Sequence, residues 1–314
     1  MSRNSVLVTG SSGTVGTELV LRLLDSGYDV HGVDVTENRW SDRVDDVTEL
    51  VDLRDEDEVM DLETDVDMVV HLSANARVHQ LVRNPERARD NFDMTFNMLE
   101  FARRNGVQDF VFSSSREVYG NNGKLIYDEE DTYTDSCESP YTASKIGGEA
   151  MVKAYEKCYG INTSLLRFSN VYGRYDNSNR VVPLFIAQAV DGRDLTVYGA
   201  DKVLDFTYID DCVSGIADVV DSFEKVQGTT LNIASGEGTS LLELARTVVN
   251  AVGANVDVHV EPNRTGEVSR YIADISRANK LVGYSPKYSF AEGIDETIEW
   301  YLDHQEVLDA ILDN

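Results

Sequence analysis

Val6-Leu7-Val8-Thr9-Gly10-Ser11-Ser12-Gly13-Thr14-Val15-Gly16 joins a short apolar run to a glycine-rich turn. The segment Thr14–Asp25 follows, with Val15, Leu19, Val20, Leu23 and Leu24 on one helical face. Apolar residues at that spacing predict an amphipathic helix, so the stretch reads as strand, turn, helix. Glycines at positions 10, 13 and 16 let the backbone turn tightly and approach a pyrophosphate. The helix start adds free N–H groups and the positive end of its dipole. Gly10, Ser12, Gly13, Thr14, Val15 and Gly16 are therefore the candidate dinucleotide phosphate cradle, and Gly16 allows close contact between helix and sheet.

Working outward, Asp29–Asp34 reads as a second strand ending in a carboxylate, 18 residues beyond Gly16. An acid there can bond ribose hydroxyls and would repel a 2′-phosphate, and no Lys or Arg follows until Arg39. Asp34 thus favours NAD over NADP. Asp52 and Leu53, ending the next short strand, are candidates for capping the adenine. The alternation continues with strand Met68–Leu72, helix Asn91–Arg104, strand Asp109–Ser113, helix Tyr141–Cys158 and strand Asn162–Phe168. Strands apolar on both faces, alternating with helices, predict an α/β fold: a doubly wound parallel sheet (Rossmann) with a smaller C-terminal lobe. The expected division is a dinucleotide-binding domain over 1–169, with contributions from about 203–235, and a mainly substrate-binding lobe over 170–314. Past Asn170 the loops lengthen, helices are expected to thin out, and Leu195–Tyr198 reads as part of a hairpin. Ser240 and Glu243 read as a capping box, and a last helix runs from about Ala291 past Trp300.

Tyr141-Thr-Ala-Ser-Lys145 puts a phenol and an ammonium one helical turn apart on one face. A cation beside a phenol favours phenolate, which draws a pKa of about 10 towards neutrality and makes a base. The preceding strand ends in Ser113-Ser114-Ser115, whose hydroxyls can reach the same substrate oxygen.

With these features, His71-Leu-Ser-Ala74, Ser113-Ser-Ser-Arg-Glu-Val-Tyr-Gly120, Arg167-Phe-Ser-Asn-Val-Tyr-Gly173, Asp205-Phe-Thr-Tyr-Ile-Asp-Asp211 and Arg264-Thr-Gly-Glu267 resemble, in order, the signature of the extended short-chain dehydrogenase/reductase superfamily. The nearest grouping is that of NAD-dependent nucleotide-sugar epimerases and dehydratases, the UDP-glucose 4-epimerases in particular. The resemblance covers almost the whole chain. It implies a bound NAD that removes hydride from C4 of a nucleotide-sugar and returns it. It further implies Tyr141 as base, Lys145 as its partner and Ser115 as hydroxyl shuttle. Leu72, Ser73, Ala74, Asn91, Ser113 and Phe168 would line the cofactor with Tyr141 and Lys145. Asn170 and Arg264 would hold the substrate diphosphate beside Ser115 and Tyr141, and a two-fold homodimer would form through the two long helices. Two positions depart from the pattern. Leu204 stands where the family usually has a diphosphate-binding arginine, with Arg174 and Arg180 as nearby substitutes. Glu117 stands where dehydratases and decarboxylases carry a proton-handling glutamate, but Arg116 replaces the acid that precedes it. The alternatives to epimerisation are 4,6-dehydration or decarboxylation on the same scaffold, a plain sugar dehydrogenase, or a non-catalytic NAD sensor, which would be expected to have lost Tyr141 or Lys145.

Composition bounds the rest. The 56 acidic residues outnumber the 28 basic ones, for a net charge of −28, and only eight of the basic residues are lysines. Such a surface repels a nucleic-acid backbone. Molar salt shortens the Debye length to about 3 Å and relieves the self-repulsion, which points to a high-salt cytoplasm. No apolar run approaches the roughly 20 residues of a membrane span, and no leader pattern opens the chain. Three scattered cysteines at positions 137, 158 and 212 give no metal spacing and suggest a reducing compartment.

Overall fold

The computed structural model describes residues 4–132, 134–262 and 268–313. Seven strands, β1 (Ser5–Thr9), β2 (Asp29–Asp34), β3 (Thr48–Leu50), β4 (Met68–His71), β5 (Asp109–Ser115), β6 (Asn162–Phe168) and β7 (Thr229–Ile233), form one sheet ordered β7-β6-β5-β4-β1-β2-β3. Every pairing in it is parallel. The order reverses between β1 and β4, so the crevice beyond their carboxyl ends is where a doubly wound sheet binds its ligand. Register brings several of the candidate residues together there. Thr9 lies opposite His71, His71 opposite Phe112, and Ser115 opposite Phe168.

β4 and most of β5 are buried, because helices cover both faces of the sheet. On one face Val6, Val8, Leu19 and Val20 join a core that runs on through Ile209, Tyr284, Ile294 and Tyr301, so the C-terminal third packs directly on the sheet. On the other, Leu7, Val33, Val69, Phe101, Phe110 and Val152 meet helices α2 (Glu86–Asn105) and α3 (Pro140–Tyr159). Gly147 lets these two helices close up, since a Cβ there would sit 2.3 Å from Phe92 Cε1. Ser139 starts α3, its side chain accepting from Thr142 N, with Pro140 at the first helical position.

Several sequence expectations need correction. Leu195–Tyr198 is no hairpin: it pairs in parallel with Val258–Glu261, whose distance in sequence hid the partner. Helices do not thin out after Asn170. Val181–Val190 is helical despite being almost uniformly apolar, because it is buried and shows no amphipathic stripe. Ile209–Asp221, Leu241–Val252 and Ser276–Val282 follow before the last long helix, Phe290–Asp303. Ser240 caps its helix through Glu243 N, whereas the reciprocal capping box is Ser289 with Glu292. β5 also runs two residues beyond the expected Ser113, which puts all three serines on the strand.

α1 (Thr14–Asp25) approaches the turn so closely that a Cβ on Gly16 would lie 1.9 Å from the Gly10 carbonyl oxygen. Gly16→Ala should therefore cost about 1–3 kcal/mol by overpacking against backbone, read as a lowered melting temperature. An unchanged melt would refute the close approach.

Candidate active site

The glycine turn is built from β1 outward. Gly10, in the left-handed region at φ +73°, donates its N–H to Val33 O at 2.7 Å, and Gly13 N bonds Gly10 O. Gly13 caps α1 without a side-chain hydrogen bond, leaving the first-turn amides free to meet an anion. Asp34 braces the turn: one carboxylate oxygen accepts from Ser12 N at 3.0 Å, the other from Thr36 N and its hydroxyl. Thr14 donates its hydroxyl to the carbonyl of Tyr175, whose φ of 67° is the sole positive value outside glycine among the described residues. A turn with no room for a Cβ, an uncapped helix start and an acid at the end of β2 fit a dinucleotide without a 2′-phosphate.

Behind the turn runs a hydrogen-bonded chain absent from the sequence reading. Leu72 N and Ser73 N donate to Thr9 Oγ1, so the Thr9 hydroxyl gives its proton to His71 Nδ1 at 2.8 Å. Burial holds His71 neutral, its pKa down to about 3, with the Lys145 charge acting in the same direction. Its Nε2–H faces Thr95 Oγ1 at 3.4 Å, and Thr95 donates to Asn91 O. Asn91 then joins three elements: its Oδ1 accepts from Asn75 N, and its Nδ2 donates to Ser144, which donates to the Tyr141 carbonyl. Asn91 thus braces the Leu72–Ala74 segment against α3.

Tyr141 and Lys145 are both buried, on the face of α3 turned to the end of β5. Lys145 Nζ donates to Ser113 O at 2.8 Å and stands 5.1 Å from the Phe112 ring centroid and 6.0 Å from that of Tyr141. Burial lowers its pKa to about 8, opposed by Glu149 one turn on. Glu149 accepts from Ser114 and, through both oxygens, from Arg167 at 2.8 and 2.7 Å. The i, i+4 spacing from Lys145 to Glu149, the same as from Tyr141 to Lys145, was the available sign of this brace.

The Tyr141 phenol corrects an expectation. Its pKa is raised, because burial disfavours the phenolate; a hydrogen bond with Ser115 and the charges of Arg180 and Arg116 work the other way, while Glu117 raises it further. Lys145 donates to the Ser113 carbonyl, with its Nζ 6.0 Å from the Tyr141 ring centroid.

The remaining candidates divide. Ser115 accepts from Glu117 N, Phe168 ends β6, and Asn170 begins a separate short strand, Asn170–Tyr172, paired with Phe206–Tyr208, its Nδ2 donating to Asp205 O. Leu53 is buried in the core, and the partly exposed Asp52 carboxylate pairs with Arg54 at 2.8 Å. Arg264 lies outside the described residues. Leu204 is buried in a small sheet between Thr239–Ser240 and Arg270–Ala273. Of its two proposed substitutes, Arg174 is committed to Glu18 at 2.7 Å, to Asp210 and to Tyr208, whereas Arg180 is exposed and its charge reaches Tyr141.

A family model described as the NAD dependent epimerase/dehydratase family matches residues 6–234. A putative UDP-glucose 4-epimerase of Methanocaldococcus jannaschii is 32% identical, covering 94% of this chain and 97% of that protein. Among solved structures, UDP-glucose 4-epimerase from Thermotoga maritima, with UDP-glucose, superposes with a TM-score of 0.88 at 28% identity, covering 96% of this chain and 99% of that one. A dTDP-glucose 4,6-dehydratase from Streptomyces venezuelae, with NAD bound, gives 0.89 at 27% identity, covering 98% and 99%.

The buried ammonium makes stability depend on pH. Folded Lys145 loses its proton near pH 8, but unfolded lysine near 10.5. Between these values the unfolded chain binds more protons, so stability rises with pH, and the cost of the buried charge, present in full below pH 8, is relieved by about 3 kcal/mol at most. Denaturant unfolding of wild type and Lys145→Met from pH 7 to 10.5 should show this rise in the wild type alone. Parallel curves would contradict it.

Proposed function

This chain belongs to the NAD-dependent epimerase/dehydratase family, and from that premise we propose that it inverts C4 of a nucleotide-sugar of the UDP-glucose/UDP-galactose type. Gly10, Ser12, Gly13, Thr14, Val15 and Gly16 hold the cofactor's phosphates, Asp34 its ribose, and the Leu72–Ala74 segment, Ser113, Phe168 and Lys145 its other end. When bound, NAD supplies an acceptor and donor of hydride. Tyr141 takes the C4 hydroxyl proton as phenolate, a form that burial opposes and that Ser115, Arg180 and Arg116 favour. Ser115 holds the C4 oxygen, and Tyr141 gives the proton back once the sugar's 4-keto form has turned over. Asn170 and Arg180 hold the diphosphate, with guanidinium matched to phosphate oxygens.

The observation that carries epimerisation over dehydration is the Arg116–Glu117 pair. Dehydration needs a base for the C5 proton and an acid for the departing C6 hydroxyl. Arg116 cannot donate a proton near pH 7, and its Nη2 holds Glu117 Oε1 at 2.9 Å. A second reading, dehydration, rests on the other Glu117 oxygen, which is buried and without a partner. The acidic surface fits a high-salt cytoplasm, and α2 and α3 offer the helices of a two-fold dimer.

Incubation with UDP-galactose in high salt should give UDP-glucose with no lasting absorbance from reduced nicotinamide. A 4-keto-6-deoxy product would favour dehydration, and stoichiometric NADH a dehydrogenase. Tyr141→Phe should lower kcat by 10²-fold or more while NAD binding, followed by fluorescence quenching, is retained; unchanged turnover would remove Tyr141 as the base. The melting temperature should rise by several degrees from dilute buffer to molar KCl, and a flat response would remove the high-salt reading.

A further inference from the structure

Resting on the nucleotide-sugar reading above, we infer that Arg116 and Glu117 together read the exocyclic substituent of the sugar, accepting a neutral hydroxymethyl group and rejecting a carboxylate or a methyl. The two side chains are 11% and 7% exposed. Three of their polar atoms are committed. Arg116 Nη2 pairs with Glu117 Oε1, and Arg116 Nε donates to Asn170 Oδ1 at 3.2 Å. Arg116 Nη1 and Glu117 Oε2 remain, both buried and both without a hydrogen-bond partner among the described residues. The pair is fixed in place. The guanidinium lies 5.9 Å from the Tyr271 ring centroid, and Glu117 N donates to Ser115 Oγ at 3.2 Å. It also directly follows Ser115, the proposed holder of the C4 oxygen, and the charges of both residues reach the Tyr141 phenol.

What this pair asks of a ligand follows from the two leftover atoms. The ion pair is neutral as a unit, so it offers an anion little net attraction. It leaves one N–H donor and one carboxylate acceptor, and a hydroxyl is the group that can both accept from a guanidinium and donate to a carboxylate. A methyl group satisfies neither and leaves two buried polar atoms unpaired. A carboxylate accepts from Nη1 but sets its charge against Glu117. Of the carbons flanking C4, C3 carries a hydroxyl in the common hexoses. The exocyclic carbon is the one that varies among hydroxymethyl, carboxylate and methyl, and is where such a reader discriminates.

The test compares three UDP-sugars of the gluco series that differ only at C6: UDP-glucose, UDP-glucuronate and UDP-6-deoxyglucose. Binding to the NAD-loaded protein is measured by calorimetry, and kcat/KM wherever turnover occurs. Wild type should prefer UDP-glucose by about 10²-fold or more over either analogue. Glu117→Gln, which keeps an acceptor and removes the charge, should bring UDP-glucuronate to within about tenfold of UDP-glucose. Arg116→Met should erode the preference over the 6-deoxy sugar; if it fails to fold, Glu117→Gln decides alone. Equal binding of all three sugars by wild type, an unchanged preference in Glu117→Gln, or a 3-deoxy analogue losing more affinity than the 6-deoxy one would each overturn the inference. Discrimination in binding without epimerisation would uphold the reader and sink the reaction proposed above. Epimerisation without discrimination would do the reverse, and failure to bind any of the three would overturn both.

Discussion

A single buried ammonium ties the chemistry to the fold. Lys145 Nζ, out of water, donates to the Ser113 carbonyl at 2.8 Å, so the carboxyl end of β5 and the first turns of α3 are fixed to one another. That bond sets where Tyr141 meets Ser115. Its charge is opposed by burial and supported by Glu149, which Arg167 grips through both oxygens from β6. Three neighbouring elements thus share one electrostatic arrangement. Removing one partner of a buried pair like Glu149–Arg167 leaves an uncompensated charge, which explains why the brace is doubly hydrogen-bonded.

The glycine turn is held to the same frame by neutral groups. The bonds from Thr9 through His71, Thr95, Asn91 and Ser144 end on the Tyr141 carbonyl, joining the glycine-turn side of the crevice to the start of α3. Such a chain needs an uncharged imidazole in one tautomer: burial excludes the charged form, and the Thr9 hydroxyl, already accepting from Leu72 N and Ser73 N, selects the tautomer by donating to Nδ1.

Much of this was legible in the sequence, and the reason is local. The strand–turn–helix at Val6–Asp25, the acid ending β2 and the pairing of Tyr141 with Lys145 depend on spacings of a few residues, and they survive folding unchanged. What escaped depends on long-range neighbours. Leu195–Tyr198 looked like half a hairpin because its partner, Val258–Glu261, lies some sixty residues on. Arg174 looked free for a diphosphate until folding brought Glu18 against it. The phenol's pKa was misread because i, i+4 spacing gives proximity but says nothing of burial, which raises it.

Relatives named as epimerases and as dehydratases share this fold, and the proposal places the distinction at the two residues after Ser115. On the proposed reading, a guanidinium beside Glu117 stands in place of the acid that dehydration would need, and hydride leaves and returns at one carbon. The most direct measurement follows that hydrogen: supply UDP-galactose carrying deuterium at C4 and locate the label in the product by NMR. The account predicts deuterium retained at C4 of both epimers, whereas deuterium at C6, in solvent or in released reduced nicotinamide would contradict it.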